Sequence, residues 1–229
     1  FLETDFISFE YENSIQRVYL SAYGKNAHFH SGIPDYQQYD TENIDSMLLC
    51  EFYNMFEGDC PPDQAEISFH YYSIENDVIW ENDKPHVIYG DIIIENGAKL
   101  TIQAGTSIHL HNDSWLIVAP GGSIELLGEQ GEENLIWVQS DRSDSHSLTD
   151  YANTPGQWGR ILIAPGSINN KIEHAIIKNG KIGVEIIGLN HKPSTLTIKN
   201  SIIFNMSNIG ILATNSTVNG ENLQISNCG

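Results

Sequence analysis

Basic residues are scarce in this sequence, with 11 Lys and Arg against 30 Asp and Glu, a formal net charge of -19. Such a charge repels phosphate backbones and anionic lipid head groups, so nucleic acid is not expected as a partner. Long apolar runs are missing too. The longest, such as Ile92–Ile94 and Trp115–Ala119, fall far short of the roughly 20 residues that a membrane helix needs. The chain is therefore predicted not to span a membrane.

Cysteine is also rare: the three residues are Cys50, Cys60 and Cys228, and no Cys-x-x-Cys pair occurs. A cysteine zinc site is therefore not expected. Cys50 and Cys60 flank a short loop and would pair in an oxidising compartment, while two buried free thiols are the alternative. Cys228 has no evident partner.

No initiator Met is present, and no basic stretch is followed by an apolar one. We expect that any export signal has been removed. The sequence ends inside a repeat unit, so we also expect further coils after Gly229.

Acidic residues are concentrated near the start of the chain. Residues 1–84 carry 17 acidic and 3 basic side chains, a balance of -14, whereas residues 85–229 carry 13 and 8, or -5. The hydrophobic pattern changes at the same place, and we put a boundary there between two modules, 1–84 and 85–229.

The first module is predicted to be rich in β-structure with one short helix. Alternating apolar and polar residues on either side of Glu12 and Asn13 predict a β-hairpin. Further on, Ile44, Leu48 and Phe52 recur at helical spacing behind a few acidic residues. This pattern predicts an amphipathic helix near residues 42–56.

The second module repeats. Residues 92–104 align without gaps on residues 116–128, an offset of 24, and residues 172–179 align on 198–205, an offset of 26. Residues 196–207 match 218–229 at an offset of 22, and Ile117–Gly121 recurs at 162–166, 45 residues on. Short β-branched segments separated by Gly, Asn and Pro at such periods indicate a parallel β-helix.

Three asparagines, Asn179, Asn205 and Asn227, fall at equivalent positions of these repeats. They are predicted to stack at one bend as a structural Asn ladder, because buried amides must satisfy their donors within the fold.

Several runs of the sequence resemble a known family. They are Trp80–Gly90, the Leu-Thr-Ile coil at 100–105, Pro155–Trp158 and Ile172–Gly180. They are similar to the right-handed parallel β-helix (pectin-lyase-like) surface lipoproteins of Bacteroidetes. The resemblance implies an all-β fold, with the end of an immunoglobulin-like sandwich ahead of the solenoid, and Ser14–His28 is similar to the segment that ends that sandwich. It also implies an exported protein of the outer-membrane surface or periplasm, with a lipid anchor outside this sequence. It transfers no catalytic residues.

Enzymes on this fold cleave polysaccharides in a groove along one strand face, with a Lys or Arg base and calcium ligands, or with paired carboxylates. The repeat strands carry few such groups, and we interpret them as solvated. They are Asp91, Glu95, Lys99, Glu125, Glu173 and Glu185.

The segment 139–157, here named the excursion, is the best candidate for a site, because loops on a rigid scaffold often carry function. Its candidate catalytic residues are Asp141, Arg142, Asp144, His146 and Asp150, and its candidate binding residues are Tyr151 and the adjoining Trp158. A solvated loop with locally paired charges is the alternative.

No cofactor is expected. Calcium binding by Asp141, Asp144 and Asp150 is conceivable, although no known calcium-loop spacing supports it. The pairs His28/His30 and His109/His111 each project to one side of a strand, as metal ligands would, but neither has a third ligand at a fixed spacing.

We therefore expect a non-catalytic, exported surface scaffold that binds a polysaccharide or surface glycan. One alternative is a polysaccharide lyase or glycoside hydrolase acting along the solenoid groove. The other is an adhesin or spacer that binds a protein partner, and an exposed apolar patch would favour it.

Overall fold

The computed structural model describes residues 2–11, 14–23, 26–32, 44–59, 68–142, 145–146 and 149–229. Its first two strands, β1 (Leu2–Tyr11) and β2 (Ser14–Tyr23), form an antiparallel pair with Phe6 opposite Tyr19. The predicted hairpin is therefore confirmed.

Most of the remaining chain winds into a parallel β-solenoid of about six turns, so the predicted all-β fold is confirmed. Each turn contributes one strand to each of three faces, named A, B and C in chain order. Face A contains β3 (His28–Ser31), β7 (His86–Tyr89), β10 (Ser107–Leu110), β13 (Ile136–Ser140) and β18 (Ala175–Lys178). Face B contains β5 (Ser68–Ile74), β8 (Asp91–Ile94), β11 (Leu116–Val118), β16 (Ile161–Ile163), β19 (Ile182–Ile187) and β21 (Ile209–Thr214).

Face C contains β6 (Val78–Trp80), β9 (Lys99–Gln103), β12 (Ser123–Leu127) and β17 (Asn170–Glu173). Two long strands, β20 (Thr195–Met206) and β22 (Thr217–Cys228), continue face C with their first halves and face A with their second halves. A two-stranded hairpin of β14 (Ser145–His146) and β15 (Thr149–Asp150) lies within the excursion.

The offsets of the sequence repeats equal the offsets at which the strands pair. Leu116 pairs with Ile92 at the offset of 24, and Leu162 pairs with Ile117 at 45. Ile198 pairs with Ile172 at the offset of 26, and its neighbour Leu196 pairs with Val218 at 22. Each repeat is one coil, so equivalent residues stack along the axis.

Aliphatic side chains fill the solenoid interior, because every second residue of a strand points inward. On face C, for example, Leu100, Ile102, Ile124 and Leu126 are fully buried and stack in two neighbouring rows.

The outer side of face B is covered as well. Strand β4 (Ile44–Leu48) pairs antiparallel with β5, and helix α1 (Leu49–Met55) follows it. Side chains from this segment, including Phe52 and Met55, pack on an outward apolar row of face B. Ile93, Ile117 and Leu162 form the covered row, and Tyr71 packs in the same cluster from the neighbouring row.

Two boundaries differ from those read off the sequence. The predicted helix near 42–56 begins only at Leu49, because residues 44–48 bond to the edge of face B as a strand. The solenoid also starts ahead of residue 85, since β3, β5 and β6 already pair with β7, β8 and β9. The change in charge near Lys84 therefore does not mark the first coil.

Cys50 is disulfide-bonded and Cys228 carries a free thiol, while Cys60 lies outside the described residues. Among the residues that the structure describes, no helix has the length and apolar character needed to cross a membrane.

Candidate functional site

Face C has an outward surface with balanced charge. Three ion pairs lie on it, with Nζ–Oε2 distances of 3.3, 3.1 and 2.6 Å. They are Lys99–Glu125, Lys171–Glu173 and Lys199–Glu221. Three positive and three negative side chains thus neutralise one another, and hydroxyl and amide side chains occupy positions between them.

An open cavity of 350 Å³ lies at one side of this face. Thr101 and Gln103 of β9 contribute to its wall, and Glu129 is the one carboxylate in the lining formed by the described part of the chain. The remaining lining residues are Ala104 and Leu127. Such a cavity offers hydrogen-bonding groups of both kinds without a second carboxylate of the sort that glycoside hydrolysis uses.

The three predicted ladder asparagines stack at the bend between faces A and B. Asn205 Nδ2 donates to Asn179 Oδ1 at 2.8 Å, and Asn227 Nδ2 donates to Asn205 Oδ1 at 2.7 Å. All three have positive φ, a conformation that Asn adopts more readily than most residues. The ladder therefore makes the bend and satisfies its own amides.

The same ladder holds the excursion. Asn179 Nδ2 donates to the carbonyl oxygen of Ala152 at 2.9 Å, and Asn205 Nδ2 also donates to that of Asn153 at 2.7 Å. Ser140 occupies the next ladder position, where its hydroxyl donates to Gln157 Oε1 at 3.0 Å. Both ends of the excursion are thus anchored to the buried polar row of the solenoid.

The candidate residues of the excursion are engaged with neighbours. Asp141 Oδ2 lies 2.7 Å from Nδ1 of His111, the Arg142 guanidinium lies 3.4 Å from the centre of the Tyr151 ring, and Asp150 Oδ2 accepts from Asn153 Nδ2 at 2.8 Å. Asp144 lies outside the described residues, and His146 is described only through its backbone in β14.

The structure contradicts one candidate. Trp158, proposed as a binding residue, is fully buried in the core, and its indole N–H donates to the carbonyl oxygen of Lys178 at 2.8 Å. Its ring lies against Gly180, where a Cβ atom would come within 2.7 Å of it. Trp158 is a core residue because the chain re-enters the solenoid at this point.

His111 was considered in the sequence only as one of two possible metal ligands, together with His109. The Asp141 carboxylate raises its pKa by hydrogen bonding, and its ring lies 4.7 Å from that of Tyr89. Its Nε2 makes no hydrogen bond within the described residues. No spacing signal links His111 to Asp141, because the two residues meet only through the β10–β13 register.

The four histidines of the two predicted pairs have separate partners. His28 contacts Asp83, His30 contacts His86, His109 contacts Ser107, and His111 contacts Asp141. In the part of the chain that the structure describes, no three His, Cys, Asp or Glu side chains are grouped as a metal site.

A second polar row was not recognised in the sequence. Asn222 Nδ2 donates to Asn200 Oδ1 at 2.9 Å, and Asn200 Nδ2 lies 3.1 Å from Nε2 of His174. All three residues have positive φ. The offsets of 26 and 22 residues are the same as those of the first ladder, and they were the sequence signal that could have revealed this row. The row lies exposed at the bend between faces C and A.

Face A carries an outward apolar row that is only partly covered. Trp137, Ile176 and Ile202 are paired in register on adjacent strands, and each is half-buried. Lys178 lies in the neighbouring row, with its Nζ 5.7 Å from the centre of the Phe204 ring.

One carboxyl group at the bend between faces A and B is destabilised by its surroundings. Burial and the nearby Asp113 raise the pKa of Asp91 to about 6, although Asp91 Oδ1 accepts the Trp115 backbone N–H at 3.0 Å. Glu95 is similarly affected, since burial and the acidic groups of Asp45 and Glu75 raise its pKa.

We expect Asp91→Asn to raise the free energy of unfolding at pH 7 by up to about 3 kcal/mol, because Asn keeps the acceptor and removes the charge. The folded-state pKa of Asp91 lies above the unfolded value of 3.8, so the penalty is complete above about pH 6 and disappears below pH 3.8. Urea denaturation at pH 7 measures the full penalty, and urea denaturation at pH 3 measures its absence.

Asp77→Asn is the matched control, since Asp77 is exposed and also accepts a backbone N–H, from Lys99 at 3.0 Å. It should change the unfolding free energy by no more than about 0.5 kcal/mol. An equal effect of both substitutions at pH 7 would contradict the assignment to burial.

The sequence model of one protein family, described as a pectate-lyase-like β-helix domain, matches residues 72–186. This range covers about half of the 229 residues and runs from β5 to β19. No curated protein and no solved structure matches the chain.

Proposed function

Because the chain belongs to the family of pectate-lyase-like β-helix domains, we propose that it is an exported, non-catalytic scaffold that binds a glycan. The observation that carries the proposal is the charge-balanced outer surface of face C around its cavity. Its hydroxyl, amide and paired charged groups suit the many hydroxyl groups of a sugar chain.

An uncharged glycan fits this surface better than a polyuronate does. The lysines of face C are paired with glutamates, and the net charge of -19 repels an anionic polymer. Binding without cleavage is favoured because Glu129 is the one carboxylate among the described residues that line the cavity, whereas hydrolysis uses two.

The test is to incubate the chain with neutral and uronic-acid polysaccharides, with and without calcium. Affinity electrophoresis reports binding and mass spectrometry reports released oligosaccharides. We expect retention by at least one neutral glycan and no products.

Gln103→Ala, at the cavity wall, should weaken that binding about tenfold, which corresponds to about 1.4 kcal/mol. Thr101→Ala tests the same wall, and Thr197→Ala is its control, because Thr197 lies in the same outward row three coils further on. Binding that is unchanged by both cavity variants would place the ligand elsewhere.

A carbohydrate-active enzyme is the second candidate, and the His111–Asp141 pair is the observation that favours it. A carboxylate on Nδ1 with an available Nε2 is an arrangement used in general acid–base catalysis. Released oligosaccharides that vanish in Asp141→Ala or Asp150→Ala would establish this alternative. If the chain neither bound nor cleaved any of these glycans, a spacer or adhesin would be the remaining function, with the apolar row on face A as its contact surface.

Export to the cell surface or periplasm, with a lipid anchor outside this sequence, belongs to the same proposal. The disulfide at Cys50 supports it, since disulfides persist in oxidising compartments.

A further inference from the structure

Several aromatic rings lie at the N-terminal end of the solenoid interior, beside the aliphatic side chains of Ile74 and Val78. His30 continues the inward row of Ile88 and Leu110. The Trp80 ring stacks on His30 at 4.4 Å and on His86 at 4.5 Å between centroids, and the edge of Tyr72 meets His30 at 5.2 Å. The imidazole of His30 therefore lies in the first coil of the core, and that of His86 lies in the second.

The hydrogen bonds define where the protons of this pair reside. Nε2 of His86 lies 3.0 Å from the backbone oxygen of Glu81, which can only accept, so this nitrogen carries a hydrogen. Nδ1 of neutral His86 is then an acceptor, and it lies 2.9 Å from Nε2 of His30. His30 therefore donates through Nε2. Its Nδ1 is left as a bare nitrogen, buried and without a hydrogen-bond partner among the described residues.

A further proton has no favourable position in this arrangement. On His86 Nδ1 it would set two N–H groups against each other at 2.9 Å, and on His30 Nδ1 it would create a buried donor with no acceptor. Burial is the main cause that lowers the pKa of His86 to about 4, and burial and His86 hold the pKa of His30 well below 6.5.

The charged and titratable groups around the His30–His86 pair come from β3 and from the turn before β7. His28 lies on β3, 4.9 Å from the His86 ring, and its Nε2 is 2.9 Å from Asp83 Oδ1. Asp83 and Lys84 lie in the turn, where they interact electrostatically with each other. His28 therefore has a partner of its own, Asp83, outside the His30–His86 hydrogen bond.

Among the strands that the structure describes, β3 is the edge of its sheet. In the described part of the chain it pairs with β7 alone, through four residues from His28 to Ser31. We propose that the His30–His86 hydrogen bond is an acid-sensitive clasp, which holds β3 on the solenoid at neutral pH and releases it, with the chain ahead of it, in acid.

The direction follows from proton binding. Each folded-state pKa of the pair lies below the unfolded value of 6.5, so the released state binds more protons and gains population as the pH falls below 6.5. Two protons taken up together change the opening equilibrium by about 100-fold per pH unit, and one proton changes it by about tenfold. The contribution of His86 levels off near pH 4.

Hydrogen exchange of the 229-residue chain, followed by mass spectrometry between pH 7.5 and 4.5, measures this opening. After correction for intrinsic exchange rates, protection of residues 26–32 should fall by more than tenfold per pH unit below pH 6. Protection of β12 in the middle of the solenoid should stay nearly constant. Parallel loss in both segments would mean global unfolding and would overturn the clasp.

His30→Phe should reduce the pH dependence of β3 to tenfold per unit or less, since one titrating group is removed and the ring stack is kept. His191→Phe is the control, because His191 is an exposed histidine paired with Glu57 elsewhere on the solenoid, and it should leave the dependence unchanged. A pH dependence of β3 that stays well above tenfold per pH unit in His30→Phe would refute the proposal.

Imidazole nitrogen NMR of the wild-type chain keeps the proposal testable if His30→Phe does not fold. His30 and His86 should both be neutral with hydrogen on Nε2 at pH 7, and should gain protons only as β3 exchange accelerates. Free titration of His30 near pH 6.5 with β3 still protected would overturn it.

Discussion

Trp158→Ala is expected to lower the free energy of unfolding by about 3–5 kcal/mol, the usual cost of removing a large buried aromatic side chain. Trp158 is fully buried against the core, and its indole N–H satisfies the carbonyl oxygen of Lys178 at 2.8 Å. The substitution opens a cavity and leaves that oxygen without its donor. Urea denaturation followed by circular dichroism measures the loss.

Trp137→Ala is the matched control. Trp137 lies on β13, in the same coil as the Trp158 re-entry, but points outward from face A and is half-buried. We expect no more than about half of the loss seen for Trp158→Ala, because part of the Trp137 side chain is already in water. Equal losses of unfolding free energy in the two variants would contradict the core position of Trp158. If Trp158→Ala lost glycan binding without losing stability, Trp158 would be a binding residue after all.

Asn205→Ala is expected to cost about 3 kcal/mol, because three buried hydrogen bonds depend on one amide. Asn205 donates to Asn153 and Asn179 and accepts from Asn227. The excursion should also loosen, since its anchor at Asn153 is lost. Chemical denaturation measures the stability, and hydrogen exchange of residues 150–154 measures the anchoring.

Asn200→Ala is the control that distinguishes the contribution of the ladder hydrogen bonds from that of the backbone conformation at the bend. Both asparagines have positive φ, 57° for Asn205 and 49° for Asn200, so replacement by Ala imposes a similar backbone cost of about 1–2 kcal/mol. Asn200 belongs to the exposed row, where water replaces the lost partners. A smaller loss with unchanged exchange at 150–154 is expected. Similar results for both variants would mean that backbone conformation, not the buried ladder, is decisive.

The strand-pairing register was accessible from the sequence because a solenoid makes the repeat period and the register the same quantity. The offset that relates residues 92–104 to 116–128 is the offset at which β8 and β11 pair. The Asn ladder was accessible for the same reason, since residues at one phase of a repeat stack along one line. The β1–β2 hairpin followed from local alternation and a polar turn.

What the sequence did not reveal depends on contacts between residues that are distant in the sequence and whose spacings match no repeat. Residues 44–48 have helical spacing, yet they form a strand because the open edge of β5 offers backbone partners. Trp158 is an aromatic residue of the kind that often binds ligands, and only the return of the chain into the solenoid places it inside the core. The His111–Asp141 pair and the His30–His86 clasp arise where adjacent coils bring side chains together across 30 and 56 residues. Local patterns therefore specify the coil, whereas stacking of coils specifies which polar groups meet, because burial and hydrogen-bond partners exist only in the assembled solenoid.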